Sequence, residues 1–221
     1  AKEIKQKCIN LGFYACNFSE EVGGAGLNHL DFALVERELG RGSMALTHFF
    51  GRPQNILMAC KGEQIENYLL PAVRGEKMDA LAMTEPDAGS DVRGMKCFAK
   101  IDGTDWIVNG TKHFISGAEH ADFVIVFIAT GEEKTEKGPK KKITAFLVDR
   151  GTQGFTIRDG YNSVSHKGYK NMILEFDDCR LPKEQILGEI DGGFAVMNTW
   201  LYATRLTVAA MSVGRARRCF D

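Results

Sequence analysis

The chain lacks any apolar run long enough to cross a bilayer. Its longest, residues 123–129, falls far short of the ~20 residues that a spanning helix needs. It also lacks an excess of either charge: 28 Lys and Arg stand against 29 Asp and Glu, a formal net charge of −1 at pH 7. That balance gives no electrostatic footprint for nucleic acid or for an anionic membrane surface. No two cysteines form a Cys-x-x-Cys pair, and the six, Cys8, Cys16, Cys60, Cys97, Cys179 and Cys219, have no zinc-ligand spacing. They sit mostly among apolar neighbours, which reads as buried, reduced thiols in a reducing compartment. No signal peptide opens the chain. Ala1-Lys2-Glu3-Ile4 reads as the interior of a helix, so the natural start, with any targeting segment, is expected to precede it. There are no internal repeats.

What is present is ordinary for a globular protein: 221 residues, 44% apolar and 26% charged, enough for one or two domains. Three textures follow one another. Residues 1–78 read as a helical domain. Residues 2–8 and 30–39 carry helical apolar spacing, Asn28 can cap the second with Asp31 three residues on, and residues 64–70 form a short helix stopped by Pro71. Residues 79–188 read as strands. Asn109-Gly110 between two alternating segments signals a hairpin with a type I′ turn. The run 123–129 suits a central strand, and residues 143–148 and 172–176 suit further ones. Residues 132–142, charged and holding Gly138-Pro139, read as a solvated loop. Residues 189–221 return to helical spacing, with Phe194, Met197, Leu201, Arg205, Val208 and Ser212 on neighbouring turns. A helix over residues 194–220 meets no stop signal, which leads to the expectation that the chain is truncated there. The expected fold class is α+β and multidomain: a helical domain, a middle antiparallel β-barrel or sandwich, and the start of a helical bundle.

The segment richest in chemistry is Ala82-Met83-Thr84-Glu85-Pro86-Asp87-Ala88-Gly89-Ser90-Asp91-Val92-Arg93-Gly94. It is a strand end running into a turn of small and polar residues, where a ligand can approach the backbone and hydroxyls can donate. By chemistry alone a plain structural turn would serve equally well. In sequence, however, it resembles the signature of the acyl-CoA dehydrogenase family, small–apolar–Ser/Thr–Glu–x–x–small–Gly–Ser/Thr–Asp–x–x–small, at every position. Val22-Gly23-Gly24-Ala25-Gly26-Leu27 and Arg180-Leu181-Pro182 are similar to further family segments, as is the order of helical, strand and helical zones. The resemblance covers essentially the whole chain, while the family begins earlier and ends later.

That resemblance implies an FAD site. Leu81, Ala82, Met83 and Thr84 would support the pyrimidine side of the flavin, and Ser90 would contact the CoA part of the substrate. Phe114-Ile115-Ser116 matches the family's aromatic–Ile–Thr/Ser motif, whose aromatic packs on the flavin and whose hydroxyl lies near N5. Phe114 stands where Trp is commoner, which keeps a stacking surface and loses an indole donor. By residue pattern alone Phe114 would be a core residue of a strand. Arg205, before an apolar Val-Ala-Ala run, would lie near the CoA thioester, partly buried and paired. Lys140, Lys141 and Lys142 align with a loop that can touch CoA phosphates, although a solvated charge run is the better reading. Arg52 could read a carboxylate on a dicarboxylyl substrate, with a surface role favoured. His113, His120 and His166 show no nucleophile–base or metal pattern and read as strand or turn surface.

The family reaction is α,β-dehydrogenation of an acyl-CoA, with electrons passed to an electron-transfer flavoprotein. It needs a carboxylate base. The family places that glutamate either far downstream or immediately before the helix arginine, here Thr204, so the base is expected beyond Asp221. Glu85 is expected to cap or brace its turn. The resemblance further implies a homotetramer, located in the cytoplasm of a bacterium or the mitochondrial matrix of a eukaryote. An acyl-CoA oxidase or flavin monooxygenase on the same fold, or a non-catalytic module, remain the alternatives.

Overall fold

The computed structural model describes residues 2–43, 47, 50, 53–136, 138–164, 168 and 170–221. The chain divides into two units. The first comprises Ala1–Lys77, Ser165–Gly168 and Asn198–Asp221, the second Met78–Val164 and Tyr169–Met197.

The first unit is helical. α1 spans Lys2–Asn10 and α2 spans His29–Gly40. Asn28 caps α2 as the sequence predicts: its side-chain oxygen accepts from the N–H groups of Leu30 and Asp31 at 2.9 and 3.0 Å, and its amide donates to the Asp31 carboxylate at 2.7 Å. Pro71 does not stop its helix. A π turn, Ile65–Leu69, runs directly into α3, Leu70–Val73. Proline lacks an N–H and crowds the carbonyl four residues back, and a widened turn just before it accommodates both defects. α4, Gly193–Phe220, is the one long helix that the sequence predicts. Its later part crosses α2 backbone to backbone. A Cβ on Gly40 would stand 2.2 Å from the Met211 carbonyl oxygen, so only glycine permits this approach. No helix among the described residues is long and apolar enough to cross a membrane.

The second unit holds one eight-stranded sheet: β1 Asp79–Ala82, β2 Phe98–Asp102, β3 Asp105–Ser116, β4 Phe123–Thr135, β5 Gly138–Asp149, β6 Phe155–Tyr161, β7 Asn171–Leu181 and β8 Ile186–Leu187. Its path is β6-β7-β3-β2-β4-β5-β8, with β1 also laid against β4. Most pairs are antiparallel. β1 and β2 run parallel to β4 and share one of its edges in succession, through Ala82↔Val126 and Phe98↔Ala129. Residues 123–129 are buried throughout, as expected for a central strand. Val124, Val126 and Ile128 join a core with Ala82, Val108, Ile115 and Leu174.

Two local readings change. Asn109-Gly110 is not a hairpin but a bulge inside β3, where the register against β7 slips between Val108 and Gly110. The Asn109 amide donates to the Asp178 carboxylate at 3.0 Å and its oxygen accepts from the Asp178 N–H at 2.9 Å. Gly110, at φ 139°, lets β2 pass so close that a Cβ would sit 2.7 Å from the Cys97 Cα. The hairpin lies instead at Gly103-Thr104, between paired Asp102 and Asp105, and Arg180 ties both carboxylates. Residues 132–142 are not a loop either. Around residue 137, which is not described, β4 and β5 continue as a two-stranded ribbon that pairs Glu132 with Lys141 and Glu133 with Lys140. Each pair forms a 2.6 Å ion pair. Opposite charges facing one another hold a ribbon that apolar alternation cannot reveal.

Candidate functional site

The signature segment leaves β1 and closes on itself. The Glu85 N–H donates to the Ala88 carbonyl at 2.8 Å, making a tight turn over Pro86-Asp87. The Glu85 carboxylate is buried and saturated. It accepts from the Lys96 N–H at 2.5 Å, the Cys97 N–H at 3.1 Å and the Lys112 ammonium at 2.7 Å. Lys112 reaches it from β3 and also donates to the Met83 carbonyl at 3.1 Å. Glu85 therefore braces the turn. Asp87 is held by Lys96 at 2.6 Å, which keeps its carboxyl below the usual range. Asp91 accepts from the Arg93 N–H at 3.2 Å. Ser90 stands exposed on the outside of the turn.

The second motif meets the first directly, since the His113 N–H donates to the Thr84 carbonyl at 2.9 Å. Just beyond, β3 bulges: its register against β7 slips between Lys112 and Ile115. Phe114 sits in that bulge at φ +57°, half-exposed, and is not the core strand residue its pattern suggests. A bulky aromatic in the left-handed region costs of order 1–3 kcal/mol, and such outliers gather at ligand sites. The ring stacks on Tyr161 at 4.3 Å between centroids, with His113 at 4.4 Å. A hydrogen bond of 3.1 Å joins His113 Nδ1 to the Tyr161 hydroxyl. Ile115 turns into the core, and Ser116 returns to the surface, where its hydroxyl donates to Asn171 Oδ1 at 2.9 Å. Leu81, paired with Ile125, is half-buried, as are Met83 and Thr84, while Ala82 is fully buried.

The fold thus joins Met83 and Thr84 to the β3 bulge that carries Phe114 and Ser116, motifs some thirty positions apart in sequence. Arg205 belongs to the other unit. It is exposed on α4, not partly buried, and its guanidinium lies 5.9 Å from the Tyr202 ring centroid. Helical spacing places it on a face that this chain leaves uncovered. Lys140 and Lys141 are engaged by the ribbon's glutamates, and Lys142 pairs with Asp191 at 3.0 Å. Arg52 and His166 lie outside the described residues. Sequence reasoning missed Lys112 and Tyr161. Lys112 shares the inward phase of β3 with Trp106 and Val108, so a lysine on an apolar phase was the available signal. Tyr161 carried none, because only pairing with β7 brings it to Phe114. Among the described residues no His, Cys, Asp and Glu cluster could hold a metal ion.

Comparison with known proteins bears on this geometry. Residues 1–76 match the family model described as the acyl-CoA dehydrogenase N-terminal domain, and residues 80–179 match that of the acyl-CoA dehydrogenase middle domain. Over its full length the chain is 34% identical to the human mitochondrial short-chain specific acyl-CoA dehydrogenase, of which it spans 54%. It is 32% identical over its full length to the caffeyl-CoA reductase–Etf complex subunit CarC of Acetobacterium woodii, spanning 58% of it. A solved acyl-CoA dehydrogenase from Bacillus anthracis, complexed with FAD, superposes at a TM-score of 0.83 with 28% identity. That match covers 97% of this chain and 37% of the other. The chain therefore spans about half the length of the curated relatives it matches.

Proposed function

This chain belongs to the acyl-CoA dehydrogenase family, and on that premise we propose that it forms the flavin- and thioester-binding part of an FAD-dependent enzyme that removes hydrogens from Cα and Cβ of an acyl-CoA. The observation that carries the reading is the junction of Thr84 with the Phe114 bulge, which assembles both motifs into one surface. The residues present fit a flavin. A flat ring system needs an apolar face against it and hydroxyl or main-chain groups at its edge. Phe114, held half-exposed at positive φ, offers the face, and Thr84 and Ser116 offer hydroxyls. FAD, when bound, would supply the two-electron acceptor for the hydride leaving Cβ.

Each residue has a separate task in this reading. Leu81, Ala82, Met83 and Thr84 support the pyrimidine edge. Ile115 anchors the bulge in the core, while Phe114 and Ser116 would hold the flavin ring, Phe114 by stacking and Ser116 through its hydroxyl toward N5. Ser90 contacts the CoA part of the substrate. The α-proton goes to a carboxylate that is not among the residues of this chain. Glu85 is unsuited to it, because three donors already occupy a carboxylate that is 3% exposed. Thr204, which precedes Arg205, has no carboxylate. The electrons pass on to an electron-transfer flavoprotein, a partnership supported by the Acetobacterium relative being a subunit of a reductase–Etf complex. The intact enzyme is a homotetramer in a bacterial cytoplasm or a mitochondrial matrix.

The test is the visible absorption spectrum of the purified chain supplied with FAD, before and after anaerobic addition of an acyl-CoA panel. Flavin bands that remain unbleached are the expected result. Bleaching by one acyl-CoA would place the base within these residues, and absence of any bound flavin would overturn the reading.

A further inference from the structure

Among the described residues of the second unit Lys112 is the least accessible charged side chain, 0% exposed, and it pairs with Glu85, 3% exposed. A buried ion pair is a poor stabiliser compared with apolar side chains of the same size, so packing alone does not account for it. Its connections are more telling. The ammonium divides its donors between the Glu85 carboxylate at 2.7 Å and the main-chain carbonyl of Met83 at 3.1 Å. The other Glu85 oxygen takes the N–H groups of Lys96 and Cys97, which lead into β2. On β3, the residue after Lys112 is His113, whose N–H holds the Thr84 carbonyl, and the next is Phe114 in its bulge. Residues 83 and 84 lie past the end of β1 and so have no ladder there to fix them. Their carbonyls are fixed instead by Lys112 and His113. One buried cation thus spans β1, the signature turn and β3 from behind the surface assigned to the flavin.

We infer that Lys112 is a positioning residue for the flavin: by holding the Met83 carbonyl and the Glu85 carboxylate together it sets the distance between the Met83–Thr84 backbone and the Phe114 bulge. This deepens the flavin-site reading and rests on it. A brace with a purely structural role would matter only through folding. A positioning role separates stability from cofactor affinity, because Glu85 can be neutralised while the Met83 carbonyl still lacks its donor.

The experiment compares the intact protein with Lys112→Met and with the double variant Lys112→Met/Glu85→Gln. Unfolding temperature, FAD dissociation constant and the visible flavin spectrum are measured for each. The single variant leaves a carboxylate buried without its counter-ion and is expected to unfold at markedly lower temperature. The double variant should regain most of that loss, yet bind FAD about tenfold more weakly than the parent, as losing a charge-assisted hydrogen bond from a ligand-holding segment implies. Its flavin absorption maxima should also shift. A double variant that regains stability together with parental affinity and spectrum would overturn the inference and leave the flavin site standing. So would one that fails to fold while the single variant folds and binds FAD normally. A parent protein that binds no FAD would remove the flavin-site reading itself, and the inference with it.

Discussion

At the scale of single residues, two backbone positions carry opposite lessons. Gly110 needs its missing side chain: at φ 139°, with the Cys97 Cα 2.7 Å from where a Cβ would be, alanine must displace β2. Gly110→Ala is expected to cost at least ~2 kcal/mol, because both the φ strain and the overpacking act against backbone rather than a flexible side chain. A denaturant midpoint within error of the parent would contradict it. Phe114 is the reverse, a ring kept where glycine would be more comfortable. Phe114→Gly relieves the strained φ and loses a ring that is already half-exposed, so the unfolding free energy should stay within about 1 kcal/mol. FAD affinity should nevertheless fall about tenfold as the stacking face is lost, with Phe114→Trp retaining it. Fluorescence titration with FAD alongside denaturation decides this, and equal loss of stability and affinity would speak for a packing role.

At the scale of elements, the charged ribbon of β4 and β5 is held by cross-strand pairs of opposite sign. Lys140 beside Glu133, through a hydrogen bond and its charge, lowers the Glu133 carboxyl below its ordinary 4.5. A carboxyl whose folded pKa is depressed contributes stability that is present above its unfolded value and lost as pH falls through the folded one. The ribbon should therefore keep its protection at neutral pH and lose it below about pH 4.5. Amide hydrogen exchange over residues 131–142 would be followed from pH 7 to pH 3, after correction for intrinsic rates. Lys140→Glu should bring the unprotected behaviour to neutral pH, while residues 123–129 stay protected. Salt should have the same sense as acid, since these pairs are exposed. Protection that is independent of pH, salt and Lys140 would mean that backbone pairing alone holds the ribbon.

At the scale of the whole molecule, the six thiols report on burial across both units. Cys8, Cys16, Cys60, Cys97 and Cys179 are buried and Cys219 is exposed, with no disulfide among them. Burial pushes the Cys60 and Cys97 thiols up to about 12 and that of Cys179 to about 11. Reaction requires the thiolate, so at pH 8 these groups are withdrawn twice over, by access and by protonation. Titration of the native protein with an aromatic disulfide reagent should modify Cys219 rapidly and the other five only on unfolding. Rapid native modification of Cys97 would show that the signature turn opens around it. The expectation of buried, reduced thiols holds for five of the six, and the exception lies in the last turns of α4, where no core reaches.

Much of this protein was legible in its sequence because it rests on local physics. Asn28 caps α2 with its own side chain, apolar residues 123–129 suit a central strand, and helical spacing through residues 194–220 needs no partner to be read. The motif around Thr84 and Glu85 identified the family from order alone. Tertiary structure decided what depended on pairing across the sheet. Asn109-Gly110 has the chemistry of a turn, yet Asp178 on β7 and Cys97 just before β2 make it a bulge. The alternating charges of the ribbon meet their partners only once the strands are in register. Lys112 stood on the apolar phase of β3, but the carboxylate that pairs with it there was brought to it by the fold from twenty-seven residues away. Phe114 looked like core because period-2 reading assumes an unbroken strand, and the bulge that turns its ring outward exists only against β7. Local sequence specifies which conformations each segment favours. Which of them survives is set by the donors, acceptors and backbones that distant segments place beside it.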